Sequence, residues 1–497
     1  MTPHSLNVAI IGSGLAGCLA ARILREQHTV TIYERETAKA EAGAAINLGP
    51  NAVHILNSVD FDRRRACSIP VTRVLSYNKQ GELTRESIHD YVQEFGTDWL
   101  FHHRVDLRDE LLRLATAPSE ELGLSGEPAT VRFGARVVDG DVDEGKLILE
   151  DGEVVEADLV VAADGIRSIM RGPVVNDDAY ITAQPSGSSA FRFTMSREKV
   201  IELHNGEVPE IMDPSKLGTL LGVYALDPTE RRVIMYPCRN YEILNFAVLA
   251  PDNMLKTPAS SDSWSAPGDR DEMISLFTDF PDWVLEYFRA AENIKLWQLR
   301  MQDPLPTYIR GRTVLIGDAA HAMTPHQGQG GCQAIEDAEG FRLFLGDHVT
   351  RENVPTILED FDRVCRPRAS QIQLNTSHAM ARHSAKEIYR FQKFNFTYHG
   401  IFEELRRIKE SEKVGQLNHG SRYANDTANK TDYANDITNG TDVTDVAPPS
   451  RTDTANESDA DDTASESDDA NVTPPRRPTT PSRVDDDMEF DEDQPDG

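Results

Sequence analysis

The sequence predicts an α/β fold: a doubly wound, mainly parallel sheet carrying a nucleotide site, with a mostly antiparallel sheet inserted into it and helices and a polar tail behind. Three observations carry that prediction. A glycine-rich turn at 12–17 joins an apolar strand to an apolar helix, two further apolar strands end at Asp164-Gly165 and Gly317-Asp318, and long alternating strands fill the stretch from about 180 to 296.

Leu6 to Ile11 reads as the first strand, and Gly12-Ser13-Gly14-Leu15-Ala16-Gly17 opens a helix that runs through Leu24. Gly12 allows the tight bend, Gly14 lets backbone approach a pyrophosphate, and Gly17 lets helix and strand pack closely. The next strand, Thr29 to Tyr33, ends at Glu34, 22 residues after Gly12. That is where a carboxylate accepts hydrogen bonds from an adenosine ribose. Together these features predict dinucleotide binding, without choosing between NAD and FAD.

Ala42 to Leu56 contains a small-residue turn and a helix start, and His102 to Leu107 leads into a helix expected at Asp109 to Ala115. Arg104, at the entry to that helix, suits a phosphate or ribose clamp. The adjacent His102 and His103 point to opposite faces of a strand, so no metal site is expected from them. Lys146–Leu149 and Glu153–Ala157 form a hairpin about Asp151-Gly152, and Ala157 to Asp164 is a buried strand running into a turn.

Ser189–Thr194, Leu220–Ala225, Arg232–Pro237 and Glu242–Leu249 alternate as strands of an antiparallel sheet. Arg192 sits mid-strand among aromatics, where an arginine is costly unless it meets an anion. It is the candidate partner of a substrate carboxylate or phenolate, with Tyr236 as a hydrogen-bonding companion. Arg312 to Ile316 is a buried parallel strand that delivers Asp318 to its carboxyl end, where open α/β sheets bind ligands. Pro325 then breaks the chain, and Gln327 to Gly331 supplies bare backbone before a helical pattern from Gln333. Amides at a helix start attract an anion or an electron-rich ring edge. Helical spacing continues from 340 to about Lys413, and the cluster Tyr389, Phe391, Phe394, Phe396 and Tyr398 is a candidate cap for a pocket or for a homodimer face.

The segment from Gly317-Asp318 through Ala319-Ala320-His321 to Pro325–Gly331 resembles the second flavin-binding motif of the single-component FAD-dependent aromatic hydroxylases, in particular the salicylate-hydroxylase-like branch. His103-Arg104-Val105-Asp106-Leu107 resembles that family's His-Arg-x-Asp-Leu segment, and Asp158 to Ser168 resembles its Asp-Gly motif. The resemblance implies a Rossmann-like FAD-binding domain with an inserted, mostly antiparallel β-sheet substrate domain, C-terminal helices and a disordered acidic tail. The FAD-binding domain is expected at 1–75, 100–180 and 297–345. The substrate domain takes 76–99 and 181–296, the helices 346–413 and the tail 414–497. The resemblance further implies that Asp318 holds the ribityl chain and that the loop with Gly330 and Gly331 packs beside the isoalloxazine ring. Ala44 and Ala45 lend backbone contacts, Arg104 reaches the cofactor, and Asp164 with Arg167 are the polar members of a loop associated with FAD and nicotinamide nucleotide.

The activity implied is hydroxylation of an electron-rich aromatic, phenolic or polyketide-type, with NAD(P)H and O2 as co-substrates and a flavin C4a-hydroperoxide as oxygen donor. Of His321 and His326, near the flavin loop, His326 is the better candidate to face the active site. Epoxidation or ring-expanding oxygen insertion would use the same motifs. A non-catalytic FAD-keeping scaffold is disfavoured, because a scaffold needs no room beside the flavin ring.

The formal charge of −31 argues against a nucleic-acid partner. Residues 421–497 carry 21 acidic against 6 basic residues, so about half of that charge lies in the tail. That tail holds a near-duplicate pair, 423–432 and 433–442, and a composition that suits disorder. The five scattered cysteines suggest reduced thiols in a cytoplasmic protein, and no apolar run approaches a membrane span.

Overall fold

The computed structural model describes residues 5–37, 44–256, 265–377 and 384–425. The chain divides into two units, Met1–Thr427 and Ala428–Gly497, and the described residues all lie in the first. The tail expected from 414 falls, from 426 onward, outside the described residues.

The first strand, Asn7–Ile11, sits near the centre of a six-stranded sheet. Across the sheet the order is Ile309–Arg310, Thr313–Leu315, Leu159–Ala162, Asn7–Ile11, Thr29–Glu34, Thr130–Phe133, parallel apart from the first pair. Alternate residues serve two cores, as strand geometry requires. Val8 and Ile10 face the helices Leu15–Leu24, Arg104–Thr116 and Gly330–Gly340. Ala9 and Ile11 face a small antiparallel sheet of Val137–Asp141, Lys146–Leu149 and Val154–Glu156. Burial on both faces explains why these strands read as continuous apolar runs.

Two helices begin earlier than expected. The one placed at 109–115 starts at Arg104, because His103 stays extended as its N-cap and Asp106 lies in the first turn, where a carboxylate favours the helix. The one placed from Gln333 starts at Gly330, the glycines themselves adopting helical backbone.

The second sheet has eight strands in the order Ser265–Pro267, Lys295–Met301, Gln184–Ser196, Ile243–Pro251, Arg232–Cys238, Thr219–Tyr224, Arg73–Asn78, Leu83–Ile88. All neighbours are antiparallel except Thr219–Tyr224 with Arg73–Asn78. Phe191, Phe193, Met235 and Phe246 on one face join a core with Phe277, Leu285 and Phe288 from the helices Arg270–Leu276 and Asp282–Arg289. The opposite face is therefore free to form a floor.

Three short antiparallel strands, Ala45–Leu48, Trp99–His103 and Ile69–Val71, stand between the two sheets. Helices Val354–Thr376, Ala385–Phe396 and Ile401–Asn425 end the described chain. The aromatic cluster of the helix Ala385–Phe396 and the segment after it does not line the main cavity. Phe396 packs among Tyr91, Phe95 and Trp99, and the Tyr398 hydroxyl donates to Glu339 at 2.9 Å, so the cluster clamps the helices rather than capping the cavity. No helix among the described residues is long and apolar enough to cross a membrane. His102 is buried, its Nε2 within 2.8 Å of Ser68 Oγ, and burial holds its pKa down to about 3. His103 Nδ1 accepts from Arg239 at 3.1 Å.

Candidate active site

The carboxyl ends of three adjacent strands meet at one point. Gly12 has φ +97°, and a Cβ there would come within 2.6 Å of the Ala163 carbonyl oxygen. A Cβ on Gly17 would come within 2.1 Å of the Gly12 carbonyl oxygen, whereas one on Gly14 would meet nothing within 4 Å. The turn is thus closed behind and open in front. Ser13 N and Oγ both donate to Glu34 Oε2, at 2.8 and 2.7 Å. Burial pushes the Glu34 carboxyl up, but hydrogen bonds from Glu36 and Ser13 outweigh it and hold the group below its ordinary range. Arg108 completes the knot, donating to Ser13 O at 2.9 Å and Ser13 Oγ at 2.7 Å.

Asp164 lies directly under this turn. Its Oδ2 accepts from Ile169 N at 2.9 Å, its buried Oδ1 has no partner among the described residues, and burial pushes its pKa up. Arg167 is exposed, and the buried cation of the loop is Arg171. Its guanidinium donates to four carbonyls: Ala319 at 2.7 Å, Asp318 at 2.9 Å, Ile166 at 3.0 Å and Ile181 at 3.1 Å.

Beyond Asp318 the chain is pinned from below. His321 Nε2 lies 2.6 Å from Asp337 Oδ2, which also accepts from Gly317 N at 2.8 Å. Burial alone would lower the His321 pKa, but the Asp337 carboxylate overrides it and raises it. Gly331 lets the start of the Gly330–Gly340 helix approach strand Ala45–Leu48, since a Cβ there would lie 2.7 Å from Ile46 Cδ1. Gly328, at φ +65°, turns the loop past Asn47.

A cavity of about 770 Å³ opens between this loop and the free face of the eight-stranded sheet. Strand register arranges its floor in rows. Lys295, Arg192, Ala247, Ile234 and Gly222 are successive cross-strand partners, as are Trp297, Ala190, Leu249, Arg232 and Tyr224. A third row runs Thr194, Asn245, Tyr236. Asn245 Oδ1 accepts from Ala45 N at 3.2 Å, tying the floor to the strand of the loop side.

Arg192 is deeply set and lines the cavity, and it also borders a smaller one beside Lys199 and Lys295. Its Nε has no hydrogen-bond partner among the described residues. Burial pushes its pKa down, nearby Tyr236 opposes that, and Arg104 adds to it. Burial also pushes the Tyr236 phenol well above its ordinary value, so it remains a neutral donor, and its ring stacks on Phe101 at 4.5 Å between centroids. Arg232 donates to His326 Nδ1 at 2.6 Å and to Glu230 O at 3.1 Å. A neutral His326 accepting there carries its proton on Nε2.

Of the residues expected from sequence, Ala45, Arg104, Arg192, Tyr236, Asp318, His326, Gly330 and Gly331 share the cavity wall. Gly12, Gly14, Gly17 and Glu34 lie at the sheet end, and Asp164 beneath them. Sequence reasoning passed over Arg108, Arg171, Asn245 and Arg232. A signal existed for Arg232, which is two and four residues from Ile234 and Tyr236 on one strand face. None existed for Arg108, whose partner Ser13 is 95 residues away, or for Arg171, two of whose four carbonyls, on Asp318 and Ala319, are more distant still.

Residues 5–376 match the family model described as FAD binding domain. The chain is 32% identical over 375 residues to hispidin-3-hydroxylase of Neonothopanus nambi, covering 74% of this chain and 86% of that one. It is 29% identical to a salicylate hydroxylase of Pseudomonas putida, covering 75% and 84%. Among solved structures, a salicylate hydroxylase substrate complex superposes with a TM-score of 0.63 at 25% identity, covering 81% of this chain and 97% of the other.

Proposed function

The chain belongs to the FAD binding domain family, and from that premise we propose that its cavity holds an electron-rich aromatic molecule by an acidic oxygen on Arg192. The enzyme is an FAD-dependent monooxygenase of the aromatic hydroxylase type, using NAD(P)H and O2. FAD, when bound, would supply the redox chemistry between NAD(P)H, O2 and the ring, one oxygen atom going to the ring and the other to water.

The residues present fit that cofactor. The open front of the Gly14 turn and the Glu34 carboxylate suit a pyrophosphate and a ribose. Arg104 and Asp318 would hold polar groups nearer the ring, and Ala45 with Gly330 and Gly331 would hold the ring itself. Asp164 and its turn back the Gly12 bend. The side chains then have three tasks: to bind the substrate, to orient it and to exclude water.

The observation that carries the reading is Arg192, a deeply set cation with an unpartnered Nε on the cavity floor. Such a charge is expensive unless an anion meets it. A phenolate or carboxylate on Arg192, with a hydrogen bond from Tyr236, satisfies both partners. Favouring the deprotonated oxygen of a phenol also raises the electron density of its ring, which is what an oxygen-accepting aromatic needs. We assign His326 to steadying Arg232. The free cysteines support a cytoplasmic location, and a homodimer is the assembly to look for by light scattering.

The test uses FAD-loaded enzyme, a panel of phenolic acids and polyketide-type phenols, NADPH oxidation and product mass spectrometry. Arg192→Met should weaken binding of accepted phenols about 10- to 100-fold, the range of a charge-assisted hydrogen bond, while FAD content stays unchanged. Undiminished binding in the variant, or a yellow enzyme that hydroxylates none of the panel, would sink the reading.

A further inference from the structure

The rows of the cavity floor set a length. Arg192 and Arg232 lie at opposite corners of a patch two rows deep and three strands wide. Rows on one face repeat about every 6.8 Å along a strand, and neighbouring strands stand about 4.8 Å apart, so the corners are about 12 Å from each other. The four other places in the patch are Ala190, Ala247, Leu249 and Ile234. All are apolar, and the two alanines leave headroom above the floor.

Polar groups flank the two corners. Tyr236 is on the same strand as Arg232, one row past Ile234 and paired with Asn245, and its phenol acts on the Arg192 guanidinium across that row. At the other corner, Tyr224 is the cross-strand partner of Arg232, and His326 reaches Arg232 from the Pro325–Gly331 loop. An apolar side chain would satisfy the fold at position 232 as Ile234 does two residues on, so a cation in this wall is a costly choice with a use.

Resting on the reading that Arg192 holds an acidic oxygen, we propose that Arg232, steadied by His326, is a second anchor. The substrate is then a two-ended aromatic of more than one ring, with an oxygen acceptor at each end and a flat apolar middle over Ala190, Ala247, Leu249 and Ile234. A single-ring phenolic acid reaches one corner and leaves the other with its protein partners.

The probes are para,para′-dihydroxystilbene, para-hydroxystilbene and para-hydroxybenzoate, titrated into FAD-loaded enzyme with the flavin absorbance band as the readout of binding. The dihydroxy compound should bind about tenfold or more tightly than the monohydroxy one. Arg232→Met should remove most of that preference by weakening the dihydroxy compound about tenfold and the monohydroxy one much less, whereas Arg192→Met should weaken both. Arg232→Lys keeps the charge and should retain part of the preference; its intact flavin spectrum guards against a misfolded methionine variant. Equal binding of the two stilbenes, or an Arg232→Met change that weakens both alike, would make Arg232 part of the wall and overturn the proposal. If para-hydroxybenzoate binds and is hydroxylated while the stilbenes do neither, this inference falls and the reading of Arg192 stands. If no probe binds, both fall.

Discussion

The proposed cofactor end and the proposed substrate floor of this protein are built from different materials. At the carboxyl ends of the parallel strands, the surfaces that matter are backbone: the open face of Gly14, the Ala163 carbonyl against Gly12, and the bare start of the Gly330–Gly340 helix. On the antiparallel sheet they are side chains, presented by every second residue of neighbouring strands. Where backbone packs on backbone, as at Gly12 and Gly17, the site tolerates almost no added atom, because nothing nearby can rotate away. A side-chain floor can be altered without moving the sheet, so binding and stability there can change independently.

Three measurements would break or sharpen that contrast. The largest effect is expected at Gly17, where a Cβ would fall 2.1 Å from the Gly12 carbonyl oxygen. Gly17→Ala should destabilise the protein by about 3 kcal/mol or more and strip its yellow colour, read by thermal melting and the flavin-to-protein absorbance ratio. A coloured variant with an unchanged Tm would show that the turn yields more than its packing suggests. The middle effect is expected on the floor. Arg192→Met should leave Tm unchanged or raise it, by about 1 kcal/mol of stability, in the same variant that loses phenol binding. A marked fall in Tm would turn Arg192 into a structural residue.

The smallest effect concerns pH. The His321 pKa is raised in the folded chain, so its pairing with Asp337 stabilises fully below the unfolded value near 6.5 and is lost as pH rises through the folded pKa. The Tm should therefore decline by roughly 2 °C over that window. His321→Asn should flatten that part of the profile, and an unaltered slope in the variant would assign it to other groups.

The contrast also explains what the sequence makes legible. Backbone sites announce themselves in short runs, because glycine is required where φ is positive or where chains nearly touch; Gly12 to Gly17 and Gly328 to Gly331 are such runs. Strand assignments followed from alternation, and the eight-stranded sheet also takes in the strand Arg73–Asn78. Arg192 and Tyr236 could be singled out because a charge or a hydroxyl stood out against its neighbours. That both serve one sheet face could not be read, since it depends on the pairing of Tyr236 with Asn245 and of Arg192 with Ala247 across three strands. Arg108 and Arg171 were invisible for a related reason. A guanidinium that serves carbonyls of distant segments looks, along the chain, like any other helical or loop arginine.

Arg171 carries a mechanical consequence. One flat group grips the Asp318 carbonyl at the cofactor strand and the Ile181 carbonyl three residues before the strand that bears Arg192. The two ligand-facing regions therefore share a common datum, as two instruments share one optical bench. A lysine at 171 has a single nitrogen and no planar fork, so it could not brace four carbonyls at once; alignment would drift there first, with both regions still folded.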